Sequence, residues 1–241
     1  MKISIIIPTL NEEKLLEQTL LQFDDEFKKN NNIELIVSDG GSKDKTIEIA
    51  KKYADKVVLH ETNKKQNISV GRNFGAKHSN GELLIFFNAD TLIKNKEKFI
   101  ESVKTEFEKK NIVGITCSVF VYQNESIFFD NLIHSILNYY FYFLNIIGIG
   151  MGRGECNIVR KEMFILLNGY NEKIYAGEDY DFFFRLRKYG KIFFLLNETV
   201  YESPRRYRKY GYLKILFLWF FNAVSVSIFK KSYSNNWDAI R

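Results

Sequence analysis

Leu83-Leu84-Ile85-Phe86-Phe87-Asn88-Ala89-Asp90 is the stretch on which the fold turns. The apolar run reads as a buried strand, and Asp90 stands where that strand ends. In open α/β sheets ligands bind beyond the carboxyl ends of strands, so Asp90 is placed to meet one. Upstream, Ile33 to Ser38 repeats the arrangement and ends in Asp39-Gly40-Gly41-Ser42. Two acids at two strand ends predict one shared site.

On either side the chain alternates strand and helix. Lys2 to Ile7 is a β-rich run stopped by Pro8, and Asn11 is positioned to cap a helix whose apolar face carries Leu15, Leu16, Leu20 and Phe23. Ser42 can cap a helix running through Tyr53, and Lys56 to His60 follows as a short strand. Ser69 to Lys77 reads as a helix, Lys94 to Lys110 as another with Phe99, Val103 and Phe107 inward, and Ile112 to Val119 as a strand. This alternation predicts an α/β fold, a mostly parallel Rossmann-like sheet with helices on both faces.

With 241 residues and 46% hydrophobic content, the chain can bury a large core as one domain with an appendage. Cys117 and Cys156 are too few for a disulfide framework and lack metal-ligand spacing, which reads as reduced thiols in a cytoplasmic protein. Lys2, a short apolar run, Pro8 and then Glu12 and Glu13 do not make a signal peptide. The formal charge of +6 is unevenly placed: Arg205, Arg206, Arg208, Lys209 and Lys214 precede a late apolar segment, and Lys230 and Lys231 follow it. That pattern fits anionic lipid better than nucleic acid, whose binding modules combine basic and aromatic residues on one platform. A solvated basic face accounts for the charges equally well.

Two apolar segments bear on membranes. Leu132 to Met151 is long enough to cross a bilayer, but Asn138, Asn145 and the glycines from Gly148 to Gly154 interrupt it. A crossing there would also separate the acids after Gly177 from Asp39 and Asp90, so a buried or interfacial helix and then a mobile glycine loop are expected. Tyr212 to Phe229 is interrupted by Lys214, Asn222, Ser225 and Ser227. It reads as an amphipathic helix in the headgroup region, or alternatively as a helix packed on the domain or at a dimer interface. The expected organisation is therefore a domain over 1–206 and a basic, apolar extension over 207–241.

The chemistry gathers around carboxylates. A phosphate ester leaving from a sugar needs its charge neutralised, commonly by a divalent cation on carboxylate oxygens, and Asp90 is the candidate ligand. Asn88 can hydrogen-bond or coordinate but brings no charge. Asp39 can accept from a base or ribose beside the permissive Gly40, and Arg72 suits a diphosphate. In Gly177-Glu178-Asp179-Tyr180-Asp181, one acid can be oriented by a basic neighbour while the other takes a proton from an incoming hydroxyl. Asp179 is the candidate base. As an isolated motif, the same run fits an acidic helix start with Asp179 as cap and Arg185 as surface partner.

Together, PTLNEE (Pro8 to Glu13), SDGGSKD (Ser38 to Asp44), GRNFGA (Gly71 to Ala76), FNADT (Phe87 to Thr91) and GEDYDF (Gly177 to Phe182) resemble, in order, the family-2 glycosyltransferases of GT-A fold. The resemblance implies sugar transfer from a UDP- or GDP-linked donor, usually with Mg²⁺ or Mn²⁺ and mostly with inversion, to a lipid-linked or glycan acceptor. It implies that Pro8, Thr9, Asn11 and Glu12 line the nucleotide pocket, that Asp39 holds the base and that Arg72 lies near the donor. Asp90 corresponds to the metal-binding acid of the DxD motif, and Asp179, with Glu178, to the ED motif that carries the catalytic base. Asn88 departs from DxD, and Tyr201 to Arg206 lacks the metal-binding histidine often found there. Glu202 is the candidate replacement ligand, and Arg205 or Arg206 a replacement counter-charge for the diphosphate. A peripheral position on the inner face of a membrane goes with a lipid-linked acceptor. The rivals are a non-catalytic nucleotide-sugar-binding protein of this fold and a nucleotidyltransferase, whose expected basic glycine loop is replaced by the acidic PTLNEE.

Overall fold

A computed structural model describes residues 1–60 and 67–234, so the last seven positions of the expected extension, 235–241, lie outside the described residues. The chain runs β1 (Ile3–Thr9), α1 (Leu16–Leu21), α2 (Asp25–Asn31), β2 (Ile33–Asp39), α3 (Thr46–Tyr53), β3 (Lys56–Leu59), α4 (Ile68–Lys77) and β4 (Leu83–Phe87). It continues through β5 (Leu92–Ile93), α5 (Lys96–Glu108), β6 (Ile112–Val121), α6 (Phe128–Ile146), β7 (Cys156–Arg160) and α7 (Lys161–Leu166). The last elements are α8 (Glu178–Leu186), β8 (Lys191–Glu202), α9 (Arg205–Tyr210) and α10 (Tyr212–Phe229).

Among the described residues the strands form one sheet, ordered β3-β2-β1-β4-β7-β6-β8-β5. Side chains alternate across it with the two-residue period of a strand. Ile3, Ile5 and Ile7 join Leu16, Leu20, Phe87, Phe99 and Val103 on one face, while Ile6, Ile36 and Phe86 meet Phe164, Phe182 and Phe183 on the other. Both faces are therefore covered.

The sheet is mostly parallel, as expected, with β7 and β5 reversed. β1 runs parallel to β2 and β4, and β6 parallel to β8, but β7 is antiparallel to both β4 and β6, and β5 to β8. Reversing β7 puts its first residue beside the last residue of β4, in the pair Phe87↔Cys156. Residues just before β7 thereby reach the sheet edge where β1 and β4 end, the point at which strand order reverses from β1.

Local capping also differs from expectation. Asn11 adopts left-handed backbone (φ 54°) and ties two turns together, its N–H donating to Ser42 Oγ and its Oδ1 accepting from Lys43 N–H. It therefore caps no helix. Ser42 donates to Asp39 instead of capping α3, where Asp44 accepts from the Thr46 N–H. Asn67 and Asn95 supply the true caps of α4 and α5, accepting from Val70 and Lys98 N–H. The glycine stretch, expected to be a mobile loop, is packed: a Cβ at Gly150 would lie 2.6 Å from Arg187 Cβ, and one at Gly152 2.6 Å from the Phe183 ring.

The extension folds back onto the domain. Tyr207 stacks on Tyr212 with centroids 4.5 Å apart, and Asp130 of α6 accepts from Tyr212 Oη (2.7 Å), Arg208 Nη1 (2.9 Å) and the Ile127 N–H (2.9 Å). α10 is apolar on both faces rather than amphipathic: Tyr212, Ile215 and Val226 are buried, and Leu213, Phe217 and Phe220 are exposed. Among the described residues, no helix is long and apolar enough to cross a membrane.

Asp130 has no solvent exposure. Burial opposes its ionisation, but Arg208, the Ile127 N–H and Tyr212 overcome this and hold the carboxyl well below the usual aspartate range. A carboxyl depressed by folding stabilises the native state above its unfolded pKa, about 4, and loses that contribution as pH falls through its folded value. Asp130→Asn is expected to cost about 1.5–3 kcal/mol near neutrality. The gap to the parent should begin to narrow below about pH 4 and close only as pH falls through the depressed folded value, as read from denaturant melts across pH.

Candidate active site

The ends of β1, β4 and β8, the approach to β7 and the start of α8 surround one cavity with about 290 Å³ of free space. Its walls include Pro8, Thr9, Glu12, Gly40, Arg72, Asn88, Asp90, Glu178, Asp179, Glu202 and Arg205, all expected site residues. Asp90 and Asp179, distant in sequence, face this shared space.

Asn11 and Asp39 are not on the cavity wall. Asp39 is fully buried: its Oδ1 accepts from Gly41 and Ser42 N–H, and its Oδ2 from Thr9 and Ser42 hydroxyls. Those bonds shape the turn that presents Gly40 to the cavity. Asn11 clamps the same turn from the other side.

Arg72 lines the cavity but is enclosed. Its side chain has no solvent exposure, and its guanidinium donates to Glu178 Oε1 (2.7 Å), Asn88 Oδ1 (3.2 Å) and the Gly154 carbonyl (2.6 Å), beside the Tyr170 ring at 5.1 Å. It is a buried tie between α4, β4, α8 and the approach to β7. Burial works against its charge, yet Tyr170, Glu178 and Asp179 hold its pKa above the ordinary value.

That tie sorts the two acids of the ED pair. Glu178 is held by Arg72, whereas Asp179 is bonded through Oδ1 to the Tyr180 N–H and has Oδ2 turned toward Gly154. Gly177, in left-handed conformation (φ +85°), starts α8, so Asp179 lies in the first turn and is not the cap. Arg185 pairs with Asp181 at 2.8 Å, not with Asp179. Burial first, and the neighbouring Glu178 second, push Asp179 well above the usual aspartate range.

Across the cavity Arg205 bridges two acids. Its guanidinium lies 2.9 Å from Glu12 Oε2 and 3.3 Å from Asp90 Oδ2, and its side chain keeps 23% exposure. Burial raises Asp90 above its ordinary pKa, Arg205 opposes that shift, and Glu12 and Glu155 reinforce it. Glu202 accepts from Tyr207 Oη at 2.6 Å and lies 4.0 Å from Arg153; burial, then Glu155, raises its pKa.

Sequence reasoning missed Arg153, Gly154, Glu155, Trp219 and Asn222, all on the cavity wall. The first three arrive through the reversal of β7, which no residue pattern announces. Trp219 and Asn222 come from the inward stripe of α10, and an inward-facing asparagine in an apolar helix was the available signal.

Residues 4–166, more than half of the chain, match glycosyl transferase family 2. The chain belongs to that family. It is 34% identical over 121 residues to the dolichyl N-acetyl-alpha-D-glucosaminyl phosphate 3-beta-D-2,3-diacetamido-2,3-dideoxy-beta-D-glucuronosyltransferase of Methanococcus voltae, covering 46% of this chain and 38% of that protein. The chain thus spans well under half the length of this curated relative. Among solved structures it resembles mannosyltransferase PcManGT of Pyrobaculum calidifontis in complex with GDP-Man and Mn²⁺ (TM-score 0.74, 15% identity, 94% of this chain and 64% of that one). It also resembles glucosyl-3-phosphoglycerate synthase of Mycobacterium tuberculosis with Mn²⁺, UDP and glucosyl-3-phosphoglycerate (TM-score 0.60, 16% identity, 95% and 79%). These likenesses establish the GT-A fold.

Removing the buried cation leaves Glu178 unpaired in the interior. Arg72→Met is therefore expected to cost about 3–5 kcal/mol in a thermal or denaturant melt.

Proposed function

We propose that this protein transfers a sugar from a UDP- or GDP-linked donor to an acceptor hydroxyl, with inversion at the anomeric carbon. The observation that carries the reading is the shared cavity of Asp90 and Asp179, with Arg72 occupied by Glu178 so that Asp179 is left toward the space. The donor's nucleotide lies against Pro8, Thr9 and Gly40. In the displacement, the acceptor oxygen bonds to the anomeric carbon as the bond to the diphosphate breaks. The acceptor proton passes to the Asp179 carboxylate. A carboxyl with raised pKa is better matched to that proton near neutrality than an ordinary one, and holding the reactants in line supplies much of the rate.

Charge on the departing diphosphate falls near Asp90 and Arg205, whose partly exposed guanidinium suits a phosphate. A divalent cation fits here by donor chemistry. Mg²⁺ is commonly held by one or two carboxylates together with substrate phosphates, and Asp90 offers a carboxylate in a field made more negative by Glu12 and Glu155. Among the described residues no group of three His, Cys, Asp or Glu side chains is placed to hold an ion unaided. Asp90, with Glu202 as the second carboxylate of the same cavity, would hold Mg²⁺ or Mn²⁺ jointly with the donor. Such an ion supplies Lewis-acid stabilisation of the leaving group. The dolichyl-phosphate relative and the apolar helices beside the cavity favour a lipid-linked acceptor.

Donor hydrolysis and transfer, followed with UDP-GlcNAc, UDP-Glc and GDP-Man with and without Mn²⁺, test the reading. Asp179→Asn and Asp90→Ala are each expected to lower turnover about 10²–10⁴-fold while leaving the melting transition in place. The acidic limb of the parent's pH profile should lie above the ordinary aspartate value of about 4 and vanish in Asp179→Asn. Binding of donors without turnover under all conditions would favour the non-catalytic alternative.

A further inference from the structure

α6 is built inside out. Its buried face carries Asp130, His134, Asn138 and Asn145 beside Phe141 and Leu144, while Phe128, Leu132, Ile136, Tyr139, Phe143 and Ile146 are exposed, Phe128 to 82%. The inward polar groups are engaged: Asn138 bonds the Val119 backbone and Arg153, Asn145 bonds the Met151 backbone, and His134 Nδ1 lies 3.1 Å from the Val119 carbonyl. A helix facing water would carry the opposite arrangement. The outer face of α10 matches it, with Leu213, Phe217, Phe220, Phe221, Val224 and Ile228 recurring every three or four residues and Leu213 exposed to 76%. The two helices are neighbours, joined through the Phe129–Tyr212 ring contact at 5.6 Å and the hydrogen bond from Tyr212 to Asp130.

From this we infer that the outer faces of α6 and α10 form one docking surface for a bilayer carrying anionic headgroups. Charge selects that occupant. Exposed Lys209 and Lys214 stand around the start of α10, and exposed Lys230 and Lys231 at its end, while Arg208 is committed to Asp130 and α6 presents no charged side chain outward. Apolar stripes with basic residues at their ends complement acyl chains beneath negative headgroups. A second copy of the chain would meet the apolar stripes with the same positive sign.

The surface is also coupled to the cavity. Phe141 of α6 and Trp219 and Asn222 of α10 line the active-site wall, while their helices' opposite stripes face outward. The cavity therefore lies about one helix diameter, roughly 10 Å, from the docking plane. That distance suits an acceptor hydroxyl carried on a membrane lipid. The inference deepens the transfer reading and rests on it for the acceptor, but bilayer docking and donor turnover are measured separately.

Flotation with phosphatidylcholine vesicles, with and without phosphatidylglycerol, tests it on the full chain. The parent should float with mixed vesicles and lose most binding without phosphatidylglycerol or at high salt. Phe217→Glu with Phe220→Glu, and separately Ile136→Glu with Phe143→Glu, should each weaken flotation about tenfold or more. Donor hydrolysis and the melting transition should stay unchanged, because these side chains face away from the cavity. No flotation by the parent, or equal flotation by the glutamate variants, overturns the proposal. So does a parent dimer in sedimentation velocity that the same variants dissociate without any vesicle binding. Flotation without donor hydrolysis would leave the docking surface standing and remove the transfer reading.

Discussion

A guanidinium with no contact with water is stable only where the protein supplies its counter-charge and its acceptors, and Arg72 makes the rest of the site depend on meeting that condition. Glu178, Asn88 and the Gly154 carbonyl supply acceptors to its two Nη atoms from three different parts of the chain, leaving the buried Nε without one. Fixing them fixes the start of α8, the end of β4 and the approach to β7 against one another. Asn88 is informative here. A neutral amide accepts from Arg72 without competing with Glu178 for its charge, so the position can lack an acid and still hold the walls together.

Two of the cations at the cavity play contrasting parts. Arg72 is enclosed and structural, whereas Arg205 lies across Glu12 and Asp90 at the cavity and keeps a solvent face. Both oppose carboxylates whose burial alone would favour protonation. The proposed diphosphate donor would therefore meet arginines already engaged with carboxylates. Its binding must exchange some of those contacts for new ones, and a divalent cation would enter with that exchange.

Strand ends were legible because buried β-strands carry continuous apolar runs, and Asp39, Asn88 and Asp90 followed from them. The five ordered motifs made the family legible as well. Capping was read less well: Asn11 and Ser42 have suitable side chains, but both are recruited by long-range bonds between the β1 and β2 turns. The burial of Arg72 was not legible, because sequence shows a basic residue near the site and says nothing of its exposure. The direction of β7 was invisible, since an apolar strand has the same alternation whichever way it runs. Consequently Arg153, Gly154 and Glu155 stayed hidden until the sheet order was known.

The reversed strand also governs when the molecule can become whole. Until β7 has been synthesised, β4 has an open edge, and the apolar residues Leu83 to Phe87 have no partner on that side. An unpaired apolar edge is a template for association with other chains, and pairing between strands distant in sequence is slow. Folding should consequently proceed in two stages on the ribosome, with β1 to β4 assembling early and the β6–β7–β8 portion closing over them late. The interval between the stages is the period of greatest exposure to aggregation, and a chaperone would act there.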